Sequence, residues 1–112
     1  MQNADGRGAE DGTYMFLALW EFEVKPGCEE RFQTVYGADG EWVRLFRGDP
    51  SFIATRLLKD PRAENKFVTI DFWTSREAYE SFKELNHAAY VAIDQSCEGL
   101  TNAERCLGNF EE

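Results

Sequence analysis

Between Val68 and Trp73 the sequence reads VTIDFW, and strand alternation places Thr69, Asp71 and Trp73 on one side of the chain. That is an unusual set for plain core: a carboxylate, a hydroxyl and an indole in a row. The chemistry it suggests is proton abstraction from a flat ligand, with Asp71 as a general base and Trp73 as a ring-sized wall. Tyr79 and His87 follow on the next helix and complete the proton-handling candidates. His87 is the only histidine, so it is the one side chain whose ordinary pKa lies near neutrality. Arg56, on the preceding strand, is placed to pair with Asp71 diagonally and give the pocket a polar end. Thr69, Trp73, Arg56, Trp20 and Phe82 are the candidate lining for a small aromatic or apolar ligand. Each has a plainer reading: Trp20, Trp73, Tyr79 and Phe82 as packed core, Asp71 with Arg56 as a structural ion pair, His87 as a solvated residue beside a helix break.

Other chemistries find little support. Cys28, Cys97 and Cys106 are odd in number, widely spaced and without a CxxC pair, which fits free thiols in a reducing cytoplasm. A single histidine without a ligand cluster argues against zinc. The formal charge of −9 disfavours nucleic acid and anionic membrane surfaces, since no basic block offsets the repulsion. No apolar run approaches the roughly 20 residues of a membrane helix, and 43% hydrophobic residues is a globular value. The reading is a soluble protein.

The elements that position these residues follow from periodicity. Residues 1–13, MQNADGRGAEDGT, are polar and glycine-rich and read as a disordered arm preceding a single domain over 14–112. YMFLALWEFEV, from Tyr14, alternates as a strand that is apolar on both faces at first and on one face later. KPG ends it. A helical run then carries Phe32, Val35, Tyr36, Val43 and Phe46, with Gly37 and Gly40 predicting a bend or break. FIATRLLK and KFVTIDFW form a hairpin around DPRAEN. Pairing Lys59 with Lys66 sets Leu57, Thr55 and Ile53 against Val68, Ile70 and Phe72 as one apolar surface, and Arg56 near Asp71 on the other. Thr74 and Glu77 have capping-box spacing, and a helix stripe runs through Tyr79, Phe82, Leu85, Tyr90 and Ile93, with a break near NHAA. ERCLGNFEE supplies a final edge strand shortened by Gly108.

The order βαββαβ specifies a ferredoxin-like α+β subunit: a four-stranded antiparallel sheet with its helices on one face. Both faces of the first strand and the hairpin are substantially apolar. An uncovered face at about 25 cal/mol per Å² is unfavourable, so a homodimer packed sheet on sheet is expected, a dimeric α/β barrel.

Through LWEFEVKPGCEERF, VTIDFWTSREAYESF and AAYVAIDQSCEGLTNAE, the chain resembles the antibiotic biosynthesis monooxygenase family over about Tyr14 to Phe110. The resemblance implies the dimeric barrel and oxidation of a planar aromatic by dioxygen without metal, haem or flavin. In the actinorhodin-pathway type the strand ends in a tryptophan, a tyrosine follows six residues on, and an asparagine lies four residues before. Trp73 and Tyr79 match; Thr69 stands in place of the asparagine and offers one hydroxyl for the amide's paired donor and acceptor. In the haem-degrading branch an asparagine occupies the first strand where this chain has Trp20, and His87 lies about one turn beyond that branch's helix histidine. The resemblance therefore favours a cofactor-independent monooxygenase for a small anthrone or quinol over haem degradation. A non-catalytic dimeric small-ligand-binding protein is the alternative.

Overall fold

The computed structural model describes residues 15–112, so the expected arm at 1–13 lies outside the described residues. Strand β1 (Phe16–Val24) is followed by helices α1 (Glu29–Tyr36) and α2 (Glu41–Phe46), then strands β2 (Phe52–Lys59) and β3 (Lys66–Trp73). Helices α3 (Arg76–Leu85) and α4 (His87–Cys97) and a 3-10 turn (Glu98–Leu100) lead into strand β4 (Thr101–Glu111). The sheet order is β2-β3-β1-β4, antiparallel throughout. This is the ferredoxin-like arrangement that the element order implies.

Alternation decides which residues meet the helices. In β1 Phe16, Ala18, Phe22 and Val24 are buried, and in β3 so are Phe67, Thr69, Asp71 and Trp73. They meet the helix layer through a run of rings: Phe32 lies 5.1 Å from both Phe22 and Phe67, and Phe46 and Phe82 lie 5.4 and 5.0 Å from Trp73. The opposite face carries Leu17, Leu19, Val68, Ile70, Phe72 and Phe110, none of them buried. All the buried apolar residues of β1 and β3 except Ala18 are aromatic or β-branched, which favours extended backbone and dense packing together.

Both helix breaks have local causes. A Cβ on Gly40 would collide with the Val35 carbonyl, so the chain can pass close under α1 only without a side chain there. At the second break the Asn86 backbone N–H and its Nδ2 both donate to the Phe82 carbonyl, at 2.9 and 3.0 Å, closing α3. The Tyr90 N–H then takes the Asn86 carbonyl at 2.9 Å and opens α4.

Three local expectations are corrected. The β2–β3 ladder pairs Lys59 with Phe67, Leu57 with Thr69, Thr55 with Asp71 and Arg56 with Ile70, one residue away from the pairing counted across DPRAEN. The Asp60 N–H bonds the Lys66 carbonyl and its carboxylate takes the Arg62 N–H, which lengthens the β2 arm of the turn by a residue. A one-residue slip exchanges faces: Leu57 and Thr55 join the helix side, and Arg56 moves to the open face, exposed and unable to pair with Asp71. Second, the cap of α3 is Ser75, whose Oγ accepts the Ala78 N–H at 3.1 Å, because the Thr74 N–H is still engaged by the Ser51 carbonyl. Third, Gly108 does not shorten β4. At φ +144° it sits in a bulge that lets the strand continue for 11 residues.

Candidate functional site

The helix face of the sheet is not filled everywhere. Between the sheet, α2 and α4 lies a cavity of about 200 Å³ bounded by Trp20, Phe22, Tyr36, Trp42, Phe46, Thr55, Thr69, Asp71, Tyr90, Asp94 and Glu104. Every strand contributes to its floor, and α1, α2 and α4 form its walls. The rings touch one another in sequence: Phe22 to Tyr36 at 4.9 Å, Tyr36 to Trp42 at 6.2 Å, and Trp42 edge-on to Tyr90 at 4.9 Å. A cavity of this kind, mostly aromatic with a few convergent polar groups, has the character of a small-molecule site.

Asp71 is its central polar group. It is 8% exposed, and the Thr55 hydroxyl donates to its Oδ1 at 2.8 Å. Among the described residues no hydrogen bond reaches Oδ2, and no basic side chain pairs with the carboxylate. Burial pushes its pKa up to about 6 from 3.8, with the Thr55 hydroxyl pulling part of the way back. Asp71 is thus ionised at neutral pH and basic enough to accept a proton.

Two tyrosines stand beside it. Burial, then Tyr90 and Asp71, hold the Tyr79 hydroxyl well above its usual value. Burial and the Asp71 charge push Tyr90 up to about 12. Both phenols therefore remain protonated and serve as hydrogen-bond donors rather than bases. Burial, and then Cys97, likewise raise Tyr36.

Of the residues singled out from sequence, Asp71, Thr69 and Trp20 come together at the cavity. Trp73, fully buried, lies behind it with Nε1 unpartnered, between Phe46, Phe52, Tyr79 and Phe82. Phe82 is core, and Tyr79 reaches the site through its hydroxyl neighbours Tyr90 and Asp71. His87 is exposed at the start of α4 in an adjoining groove with Glu80, Lys83 and Glu84, which shares Tyr90 and Asp94 with the cavity, and Arg56 is on the far face of the sheet. The lining residues that sequence reasoning left as core or unassigned are Phe22, Tyr36, Trp42, Phe46, Tyr90, Asp94, Thr55 and Glu104. Tyr90 and Asp94 are four apart and so share a helix face, a signal present in the sequence. Glu104 is brought in only by the bulged register of β4, which pairs it with Phe22.

Among the described residues no three His, Cys, Asp or Glu side chains converge closely enough to hold a metal ion. Nor is any helix long and apolar enough to cross a membrane.

The fold is a ferredoxin-like α+β architecture with a ring-lined cavity between its sheet and helices, and comparison with known proteins narrows it. The family profile for antibiotic biosynthesis monooxygenase matches residues 15–91, and the chain belongs to that family. Among solved structures it is similar to SnoaB, a cofactor-independent oxygenase from Streptomyces nogalater. The identity is 21% with a TM-score of 0.70, over 86% of this chain and 90% of that one. It is also similar to PA3566 from Pseudomonas aeruginosa, at 16% identity and a TM-score of 0.65 over 89% and 93% of the two chains. At these identities the likeness is one of fold. No curated protein sequence matches the chain.

Proposed function

We propose that this protein is a cofactor-independent monooxygenase that oxidises a small planar aromatic of the anthrone or quinol type. The observation that carries the reading is Asp71: a buried carboxylate with pKa about 6, one oxygen without a hydrogen-bond partner among the described residues, on the wall of a ring-lined cavity. Family membership supports the same chemistry. Asp71 removes a proton from the bound substrate, and the aromatic walls hold the resulting delocalised anion flat. An electron-rich anion of this kind reduces dioxygen itself. Carbon–oxygen bond formation at an anthrone CH2 gives a hydroperoxide; loss of the second C–H proton with O–O cleavage then yields the ketone and one water. Tyr90, backed by Tyr79, donates hydrogen bonds to the developing peroxide oxygen, while Thr69 and Trp20 contact the substrate.

His87 has no part in this scheme, since it stands outside the cavity; haem degradation through it is correspondingly disfavoured. The threonine at position 69, in place of the asparagine of the actinorhodin-pathway type, favours one second reading, a binding protein that holds the same ligand without turning it over. The apolar open face of the sheet supports a sheet-on-sheet homodimer, and three unpaired cysteines accord with the cytoplasm.

The test is dioxygen uptake after a panel of anthrones and hydroquinones is loaded anaerobically. Uptake that is lost in Asp71→Asn supports the oxygenase. Ligand-induced thermal stabilisation without any uptake across the panel supports the binding protein instead.

A further inference from the structure

The cavity carries one sign of charge. Asp71 stands at its floor, and Asp94 and Glu104, both exposed, stand at its rim from α4 and β4. Among the described residues no lysine, arginine or histidine lines it, Lys83 and His87 standing in the adjoining groove beyond Tyr90 and Asp94. Among the described residues none of the three carboxylates is paired with a base. They do not close on a metal point either; they surround a volume the size of an organic ligand. Two cations of the chain do sit over aromatic rings, Lys83 Nζ 4.4 Å from the centre of Tyr79 and Arg76 5.7 Å from that of Phe16, but neither ring lines the cavity. Among the described residues Trp20, Tyr36, Trp42 and Tyr90 have no such partner.

We infer that the cavity selects a planar aromatic bearing a protonated amine, the ring between the aromatic walls and the ammonium group towards the carboxylates. This rests on the cavity being the substrate site and deepens that reading by naming the substrate class. Two independent features favour the cation. Unpaired carboxylates beside a low-dielectric wall attract a positive charge more strongly than the same groups in bulk water. Electron-rich ring faces attract it again through their quadrupoles, and do so most when water is displaced. An anionic substrate meets the opposite field, and the chain's net charge of −9 extends that bias outward as steering. Burial and then the neighbouring Asp94 and Glu98 hold Glu104 above the usual carboxylate range, so an incoming cation relieves an existing repulsion.

The experiment uses three probes of one shape: 2-naphthylmethylammonium, 2-naphthylmethanol and 2-naphthoate, titrated into the full chain at pH 7.5 by calorimetry, at low and at high salt. The ammonium is expected to bind at least about tenfold more tightly than the alcohol, a gap that narrows with salt, and the naphthoate is expected to bind weakest. The double variant Asp94→Asn with Glu104→Gln, at two exposed positions, is expected to reduce the ammonium's advantage over the alcohol several-fold. Equal binding of ammonium and alcohol, or tightest binding of the naphthoate, overturns the inference. The oxygenase reading fails separately: amine selectivity with no dioxygen uptake from an aminomethyl hydroquinone leaves the inference standing and removes the reaction. Uptake from neutral quinols without amine selectivity does the reverse.

Discussion

The Thr55 hydroxyl donates to Asp71 Oδ1 across 2.8 Å, from the residue directly opposite it in the β2–β3 ladder. A buried carboxylate is thus held by one neutral donor, where a guanidinium would have drawn its pKa down and ended its use as a base. The pairing register that sends Arg56 to the other face is what leaves Asp71 at about 6.

Asp71 therefore burdens the fold. Its pKa is raised from 3.8 to about 6, so the native state binds this proton more readily than the unfolded chain does. The penalty is complete above pH 6, shrinks as pH falls between 6 and 3.8, and is gone below, a difference of about 3 kcal/mol at most. Asp71→Asn is expected to stabilise the protein by about 1–3 kcal/mol at pH 8, with the gain vanishing towards pH 4. Urea unfolding at the two pH values measures it. A variant less stable than the parent at pH 8 contradicts the assignment.

Thr55→Val keeps the shape and removes the donor. With its one hydrogen bond gone, the ionised Asp71 is harder to hold, and its pKa rises further. Dioxygen uptake in the parent is expected to climb with pH through about 6 as the base form appears. In Thr55→Val that rise moves to higher pH, and stability at pH 8 falls by about 1.5–3 kcal/mol. An unmoved pH profile would separate Asp71 from the rate.

Trp73 tests core against pocket. It is fully buried among four aromatic rings, and Trp73→Ala is expected to destabilise by about 3–5 kcal/mol. Trp73→Phe loses contact area yet also removes the unpartnered Nε1–H, so its effect should be well under half of that. Equal losses in the two variants, by urea unfolding, would mean that the indole nitrogen is satisfied in solution.

What the sequence made legible is what periodicity and glycine report. Alternation placed Thr69, Asp71 and Trp73 on one side of β3, and the interruptions at Gly37, Gly40 and NHAA marked the ends of α1 and α3. These signals are local, arising from side-chain direction and backbone freedom within a few residues. Register is not local. One residue more or less in the turn after Asp60 exchanged Arg56 for Thr55 as the neighbour of Asp71, and no pattern within either strand fixes that count.

The walls of the cavity were harder still. Phe46 and Tyr36 read as core because their spacing is that of any buried helix stripe, and only the gap left between α2 and α4 turns them into lining. Glu104 depended on an irregularity in the β1–β4 ladder between Leu19 and Trp20, which shifts the strand by a residue. Asp94 was visible as a partner of Tyr90 by its four-residue spacing, but an exposed aspartate on a helix carries no mark of what it faces.

The open face of the sheet gives the last prediction. Leu19 pairs with Ile70 and Leu17 with both Phe72 and Phe110, and none of these side chains is buried by the helix layer. Phe110 is 50% exposed, and Leu58 and Ile53 are exposed as well. A contiguous apolar surface at this density is unfavourable in water by about 25 cal/mol per Å², and a stable interface hides roughly 800 Å² on each partner. The chain is therefore expected to sediment as a dimer at micromolar concentration. Ile70→Glu sets two carboxylates, one from each copy, into the dry centre of that contact, and should give single subunits or precipitate. Leu85→Glu, at an 81% exposed position on α3 away from this face, is the matched control and should leave the dimer intact. Because the cavity is bounded within one chain, a dissociated Ile70→Glu protein that stays folded should still bind aromatic probes, which separates the role of the open face from that of the site behind it.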